Sequence, residues 1–453
     1  MSGNFPFGFS SASGDDESGG GNPFGGFDAA NFDPNNVDMS QIGAALQQLG
    51  QMLQSGGSDP SPVNWELARD TARKIVAAEG DPSLTSIEKR EVEQALDLAS
   101  LWLDPATSFP ATGSGGGAWS RSEWIENTLG SWRSIVEPVA EKVNGSMTDL
   151  MPTDGIPEGL PPELMQTMSG LFGMAKQMSS MMFGGQLGQG LGVLSSEVMG
   201  AADVGIPLTS DGRAALLPRN ITTFGQDLGV DIEQVRLYVA LREMAAQRLF
   251  VHVPWLRSQL TAAVEAYAAG IHVDRTRIEE LSRDIDPSNP ESIQDMLSSG
   301  VFVPEDSPEQ VAALARLETL LALVEGWIDD VVTQAATGRL PGVDMLGEAM
   351  RRRRATGGPA ERTFATLVGL ELRPRRLREA SALWSSIREA RGTQARDEVW
   401  AHPDLLPTSD DLDGDEAIEA FVRRSAPLDL SGLDDLPQAP VEGDDASSGG
   451  SSE

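Results

Sequence analysis

The chain has no cysteine. Disulfides, thiol nucleophiles and cysteine-ligated metals are therefore excluded. Histidine is almost as scarce: 453 residues hold three, His252, His272 and His402, at no ligand-like spacing. No serine–histidine–acid constellation can be located among them. No uninterrupted apolar run reaches about 18 residues, so no stable membrane insertion is expected. No basic patch followed by an apolar run opens the chain, so no signal peptide is expected and the cytoplasm is the default location. Positive charge is short as well, with 34 Lys and Arg against 68 Asp and Glu and a formal charge of −34. Repulsion of that size favours solubility and opposes non-specific binding to nucleic acid or anionic membrane.

What is present suffices for a globular body. Hydrophobic residues make up 40% of the chain, and its length allows one large core or two to three domains. Residues 1–60 form a Gly/Ser/Asp-rich arm that cannot bury enough apolar area to offset its ordering entropy, with a short helix expected at Met39–Leu53. An N-terminal helical region is expected over 61–145 and a helical core, packed with it, over 146–410. Residues 411–453 read as an acidic, mostly disordered tail with a small helix at Asp415–Arg424.

Apolar periodicity predicts helices at Trp65–Ala78, Ser86–Leu103, Arg121–Val143 and Glu163–Met182. Further helices are predicted from Asp231, a plausible N-cap, to Pro254, and at Trp255–Ala269, Asp274–Ser282, Ser292–Gly300, Pro308–Thr337, Leu346–Arg354, Pro359–Gly369, Pro374–Ala390 and Thr393–Trp400. Ala214–Leu217 and Thr222–Phe224 read as short extended pieces, so the expected class is mainly α with little or no sheet. The tryptophans at 65, 102, 119, 124 and 132 read as core anchors. The glycine-rich run Phe183–Gly192 superficially suggests a phosphate loop, but no lysine–hydroxyl pair follows it. Close helix packing or a flexible helix connection is the better reading.

The segment Leu241-Arg242-Glu243-Met244-Ala245-Ala246-Gln247 carries the functional question. A catalytic zinc helix needs two histidines one turn apart with a glutamate beside the first. Here the glutamate stands, but Arg242 and Ala246 hold the two ligand places. Glu325, in Leu323-Val324-Glu325-Gly326-Trp327, is the candidate for a later acidic ligand.

The stretches Arg242–Leu256, with its Val253-Pro254-Trp255-Leu256 element, and Leu323–Val332 resemble the actinobacterial zincin-like proteins regarded as hydrolases or zinc-dependent metalloproteases. That group includes relatives associated with coenzyme F420 biosynthesis. Leu370–Arg376 and Trp400–Pro407 resemble one branch of it, and the resemblance covers roughly residues 60–410. It implies a helical, gluzincin-like scaffold. By it, Arg242 matches the first metal histidine, Glu243 the water-activating glutamate, Ala246 the second histidine and Glu325 the acidic ligand. A guanidinium has no free lone pair for zinc and alanine has no donor atom, so the standard mechanism is lost.

The reading that follows is a catalytically inactive zincin-like protein without a cofactor, with Glu243 as a remnant and a protein or peptide partner in the old cleft. The alternative is a zinc-dependent metallopeptidase or hydrolase with atypical ligands. A third option is a hydrolase working through Glu243 or nearby acids. In the leading reading Arg242 pairs with Glu325, or Arg242 or another base pairs with Glu243, and a guanidinium stands in for the metal. Two other arrangements stay open: both ends facing solvent, or an exposed Glu243–Glu325 pair attracting a divalent cation weakly. The basic clusters Arg351–Arg354 and Arg373, Arg375, Arg376 and Arg378 are diluted by Glu348, Glu361, Glu371 and Glu379. Internal pairing is expected for them, and nucleic-acid binding is not.

Overall fold

Capping and apolar spacing set the helix boundaries in the computed structural model, which describes residues 61–113, 115–149, 162–209, 211–270, 307–355 and 376–425. Helix α1 (Trp65–Glu79) starts where the Asn64 side chain accepts the Leu67 amide, and it stops at Gly80, whose φ is 88°. Helix α2 (Ser86–Leu103) opens on a reciprocal capping box between Thr85 and Glu88. Val92, Leu96, Ala99 and Leu103 make its buried stripe. The order continues with β1 (Gly117–Ala118), α3 (Arg121–Asp149), α4 (Pro162–Glu197), β2 (Ala215–Leu216), α5 (Pro218–Gly225), α6 (Ile232–His252) and α7 (Pro254–Ala269). It ends with α8 (Pro308–Ala336), α9 (Val343–Ala355), α10 (Leu377–Glu398), three single 3-10 turns and α11 (Asp415–Arg424). The class is mainly α. The strands pair in parallel, Gly117 with Ala215 and Ala118 with Leu216. One apolar core runs from Val63 to Phe421 and takes in Trp65, Trp119, Trp124 and Trp132, with Trp102 packed on its edge.

Two expectations change in detail, and for the glycine run one of the two preferred readings is selected. Thr222–Phe224 is not extended but lies inside α5. Pro218 presets the first helical φ, and the Thr222 and Thr223 hydroxyls donate to the carbonyls of Pro218 and Arg219 one turn back. The β-branched run Ile221–Thr223 thus suggested a strand that its turn chemistry overrides. Asp231 stands at the N-cap of α6, but its side chain makes no capping bond. The glycine run lies within the continuous helix α4. A Cβ on Gly184 would meet the Asn64 carbonyl at 2.4 Å, and one on Gly188 would meet the Ala68 carbonyl at 2.5 Å. These glycines, one turn apart, let α4 lie against α1, so the run serves close helix packing.

Helix α6 is the axis of the body. It packs against α2, α8 and β2, and every residue from Leu237 to Leu249 is buried. Helix α8 opens on a capping box between Ser307 and Gln310 with Pro308 in its first turn. It is buried continuously from Leu320 to Val332. Both site segments therefore lie where water is excluded. The helices expected at Met39–Leu53, Asp274–Ser282, Ser292–Gly300 and Pro359–Gly369 lie outside the described residues.

Candidate functional site

Helix α6 presents Arg242, Glu243 and Ala246 to the same small pocket that receives Glu325 from α8. Arg242 Nη2 donates to Glu325 Oε2 at 2.5 Å, and Nη1 lies 4.0 Å from Asp329 Oδ1. The Arg242 and Glu325 side chains are 9% and 8% exposed. Taking such a pair out of water is costly, and further partners must offset the loss of hydration. They are present. Arg354 Nη2 forms an ion pair with Glu325 Oε1 at 2.9 Å and donates to Asp203 Oδ1 at 3.1 Å. Arg353 Nη2 donates to Asp203 Oδ2 at 3.1 Å and to the Glu197 carbonyl at 2.7 Å. The Met199 amide also donates to Asp203. Asp329 accepts from Arg351 at 3.4 Å and from the Ser381 hydroxyl at 2.9 Å.

The field of this network decides its charge states. Burial works against the Arg242 cation, but Glu325, backed by Asp329 and Asp203, holds its pKa above the usual guanidinium value. Burial likewise works against the Asp203 anion. Arg353, Arg354 and the Met199 amide outweigh it and hold the carboxyl below the usual range.

Glu243 has a different set of partners. Its Oε2 accepts the Ala202 amide at 2.9 Å, and its Oε1 accepts the Ala215 amide at 3.3 Å and Gln247 Nε2 at 2.9 Å. A Cβ on Gly200 would stand 2.4 Å from Oε2. Glu243 therefore clamps the 200–202 segment and β2 onto α6. Burial pushes its pKa up to about 7 against the pull of these three donors. Both oxygens are engaged in holding backbone, whereas a water-activating glutamate needs one free.

The four positions singled out in the sequence converge on one pocket, and the open alternatives resolve. Arg242 pairs with Glu325 and not with Glu243. Neither carboxylate faces solvent, so no exposed cation pair exists between them. The space left beside Ala246 is about 20 Å³, room for one water. Asp203 and Asp329 were not singled out, and they complete the network. Asp203 lies in an irregular segment whose sequence shows no periodicity. The Arg351–Arg354 run was the available signal for both, since its cations require acceptors. Arg352 pairs outward with Glu348 at 3.1 Å. Arg376 pairs with Asp413 at 2.8 Å, and Arg373 and Arg375 lie outside the described residues.

A zinc ion does not fit the donors present. A guanidinium without a lone pair and a methyl group hold the places one turn apart on α6. Among the described residues, no group of three or more His, Cys, Asp or Glu stands where it could hold a metal. His252 Nδ1 is bonded to the Arg248 carbonyl at 2.8 Å, and the ring stacks on Phe109 at 5.7 Å. His402 accepts the Asp404 amide at the surface, and His272 lies outside the described residues.

A model of zincin-like metallopeptidases matches residues 63–418. The chain belongs to the zincin-like metallopeptidase family. The crystal structure of a candidate hydrolase with a novel fold from Chloroflexus aurantiacus aligns with a TM-score of 0.56 at 20% identity, covering 80% of this chain and 98% of that one. At that identity the likeness is one of fold. No curated protein matches significantly. Within this zincin-like body a second buried charge network serves packing. Arg396 donates to Asp330 and Asp397 at 2.8 Å each and to the Ala106 carbonyl. Asp397 also accepts from Thr107, Ser108 and Trp327. This network ties α8, α10 and the 106–109 segment together. Among the described residues, no helix is long and apolar enough to cross a membrane.

Proposed function

We propose that this chain is a non-catalytic zincin-like protein in which the Arg242 guanidinium replaces the metal as the positive centre between α6 and α8, and in which the old cleft binds a protein or peptide partner. The observation that carries this reading is the Arg242–Glu325 pair. The residue in the first histidine place is bonded to the residue in the acidic-ligand place, at 2.5 Å and out of water. A planar donor fork that stays charged at all working pH values can neutralise buried carboxylates as a cation would, but it cannot polarise a bound water as zinc does. Glu243 supports the same reading, because its oxygens hold backbone amides. The actinobacterial branch belongs to this proposal and rests on the sequence resemblance.

Metal analysis of the purified protein, paired with an unbiased peptide-cleavage screen, tests it. Zinc well below one per chain and no chelator-sensitive cleavage are expected. One zinc per chain with cleavage abolished by a chelator would overturn the reading.

A further inference from the structure

Helix α9 forms one wall of the pocket, and its sequence reads as a ligand for the cleft. Leu346 and Met350, one turn apart, are buried against the body. Arg351, Arg353 and Arg354 follow within the next turn and reach Asp329, Asp203 and Glu325. Without α9, the three carboxylates of this floor face only the single cation of Arg242. The three arginines supply the missing charge. The seat is nevertheless imperfect: Arg354 Nε is buried beside the pocket and finds no acceptor among the described residues. Helix α9 hangs from α8 by a short turn through Gly338, whose φ of 76° suits a tight reversal.

The geometry points to α9 as a built-in occupant of the cleft, holding the place of an external partner of the same chemistry. That partner is a helical peptide with two apolar residues one turn apart followed by clustered arginines. This inference rests on the reading of the cleft as a binding surface and names its ligand class. Recognition has two parts. Leu346 and Met350 supply apolar anchorage of the helix-in-groove kind. The arginines supply charge-assisted bonds to acceptors already fixed by the Met199 amide, the Ser381 hydroxyl and Arg242. The net charge of −34 adds long-range attraction for a basic segment.

The test is a competition between helices. A synthetic peptide of residues 343–355 is titrated into the full-length wild type and into the full-length R353A/R354A variant, whose own helix is weakened. The peptide should bind the variant at least about tenfold more tightly than the wild type, and high salt should reduce that binding by a similar factor. Adding D203N and D329N to the variant should abolish it. Equal affinity for both proteins, binding insensitive to salt, or no binding by a variant that keeps its helical spectrum would overturn the assignment of partner. Cleavage of the peptide would instead overturn the non-catalytic reading on which the assignment rests. Should the double variant lose its fold, hydrogen exchange of the wild type in low and high salt serves instead. Amides of α9 should exchange faster in high salt while those of α6 do not, and equal protection would sink the proposal.

Discussion

A single arginine carries much of the charge balance between α6 and α8. Arg242 sits among Glu325, Asp329 and Tyr238 with 9% of its side chain exposed. Truncation to alanine would leave Glu325 facing Arg354 alone and Asp329 facing Arg351. Leaving a buried charge short of its partner costs on the order of 3 kcal/mol. Denaturant unfolding of Arg242→Ala should show a loss of that size. Replacing both partners together, as R242M/E325L, should recover most of it, because a well-packed apolar pair carries no desolvation penalty. A single variant as stable as the wild type would show that the pair is incidental. Glu243, its neighbour in sequence, is used differently. Two residues adjacent on one helix point into different partner sets, one ionic and one made of two backbone amides and the Gln247 side chain.

At the scale of the element, the pairing of α1 with α4 makes the sharpest demand on sequence. Gly184, Gly188 and Gly192 are spaced by four, and each faces α1. At Gly188 a Cβ would lie 2.5 Å from a backbone carbonyl and 2.6 Å from the Thr71 Cβ. The two helices would have to separate to accommodate it. Gly188→Val should therefore cost about 2–3 kcal/mol. Gly185, in the same helix, faces open space. Gly185→Ala should be neutral or stabilising by up to about 1 kcal/mol through helix propensity. Thermal melts of the two variants check the pair, and similar effects at both positions would refute the packing argument. Helix α6 poses the opposite problem. Its sequence is mixed, with Arg, Glu and Gln among the apolar residues, yet from Leu237 to Leu249 it is buried on all sides. Each long polar side chain in its buried stretch finds a partner: Arg242 with Glu325, Glu243 with amides, Gln247 with Glu243, and Arg248 with Asp104 and the Ser100 and Phe109 carbonyls. Polar composition alone marks such a helix as half exposed, and only its neighbours can bury it.

For the whole molecule, the buried charges set the dependence of stability on pH. The Glu243 pKa is raised from 4.5 to about 7 in the folded protein. The folded state therefore holds a proton that the unfolded state has lost across that window, and stability falls as pH rises through it, by at most about 3 kcal/mol. Asp203 has the opposite sign. Its folded pKa lies below 3.8, so its contribution is present above that value and lost as the pH falls through the folded pKa. Self-repulsion at a charge of −34 also grows as carboxylates ionise. Melting temperature should accordingly peak near about pH 5 and decline towards about pH 8. A flat or rising profile across that range would contradict the burial of Glu243 as a strained carboxylate.

Much of this was legible from the residues. The capped, striped helices α1, α2 and α8 follow from local chemistry, because a Thr85–Glu88 box or a Ser307–Gln310 box acts within four residues and needs no tertiary partner. That α6 carries no imidazole at these two places was equally plain, since no fold can make Arg242 or Ala246 into one. The direction of Arg242 towards Glu325 was one of several readings that sequence left open. Tertiary structure decided it, by burying both helices so deeply that the guanidinium had to find carboxylates from within the protein. The same burial turned Glu243 towards the amides of Ala202 and Ala215 and drew Asp203 and the arginines of α9 into one network. Sequence by itself determined which side chains stand on α6, and so which donors are absent from it. The packed interior, where each charge must be matched by a group brought from another part of the chain, decided which partners they found.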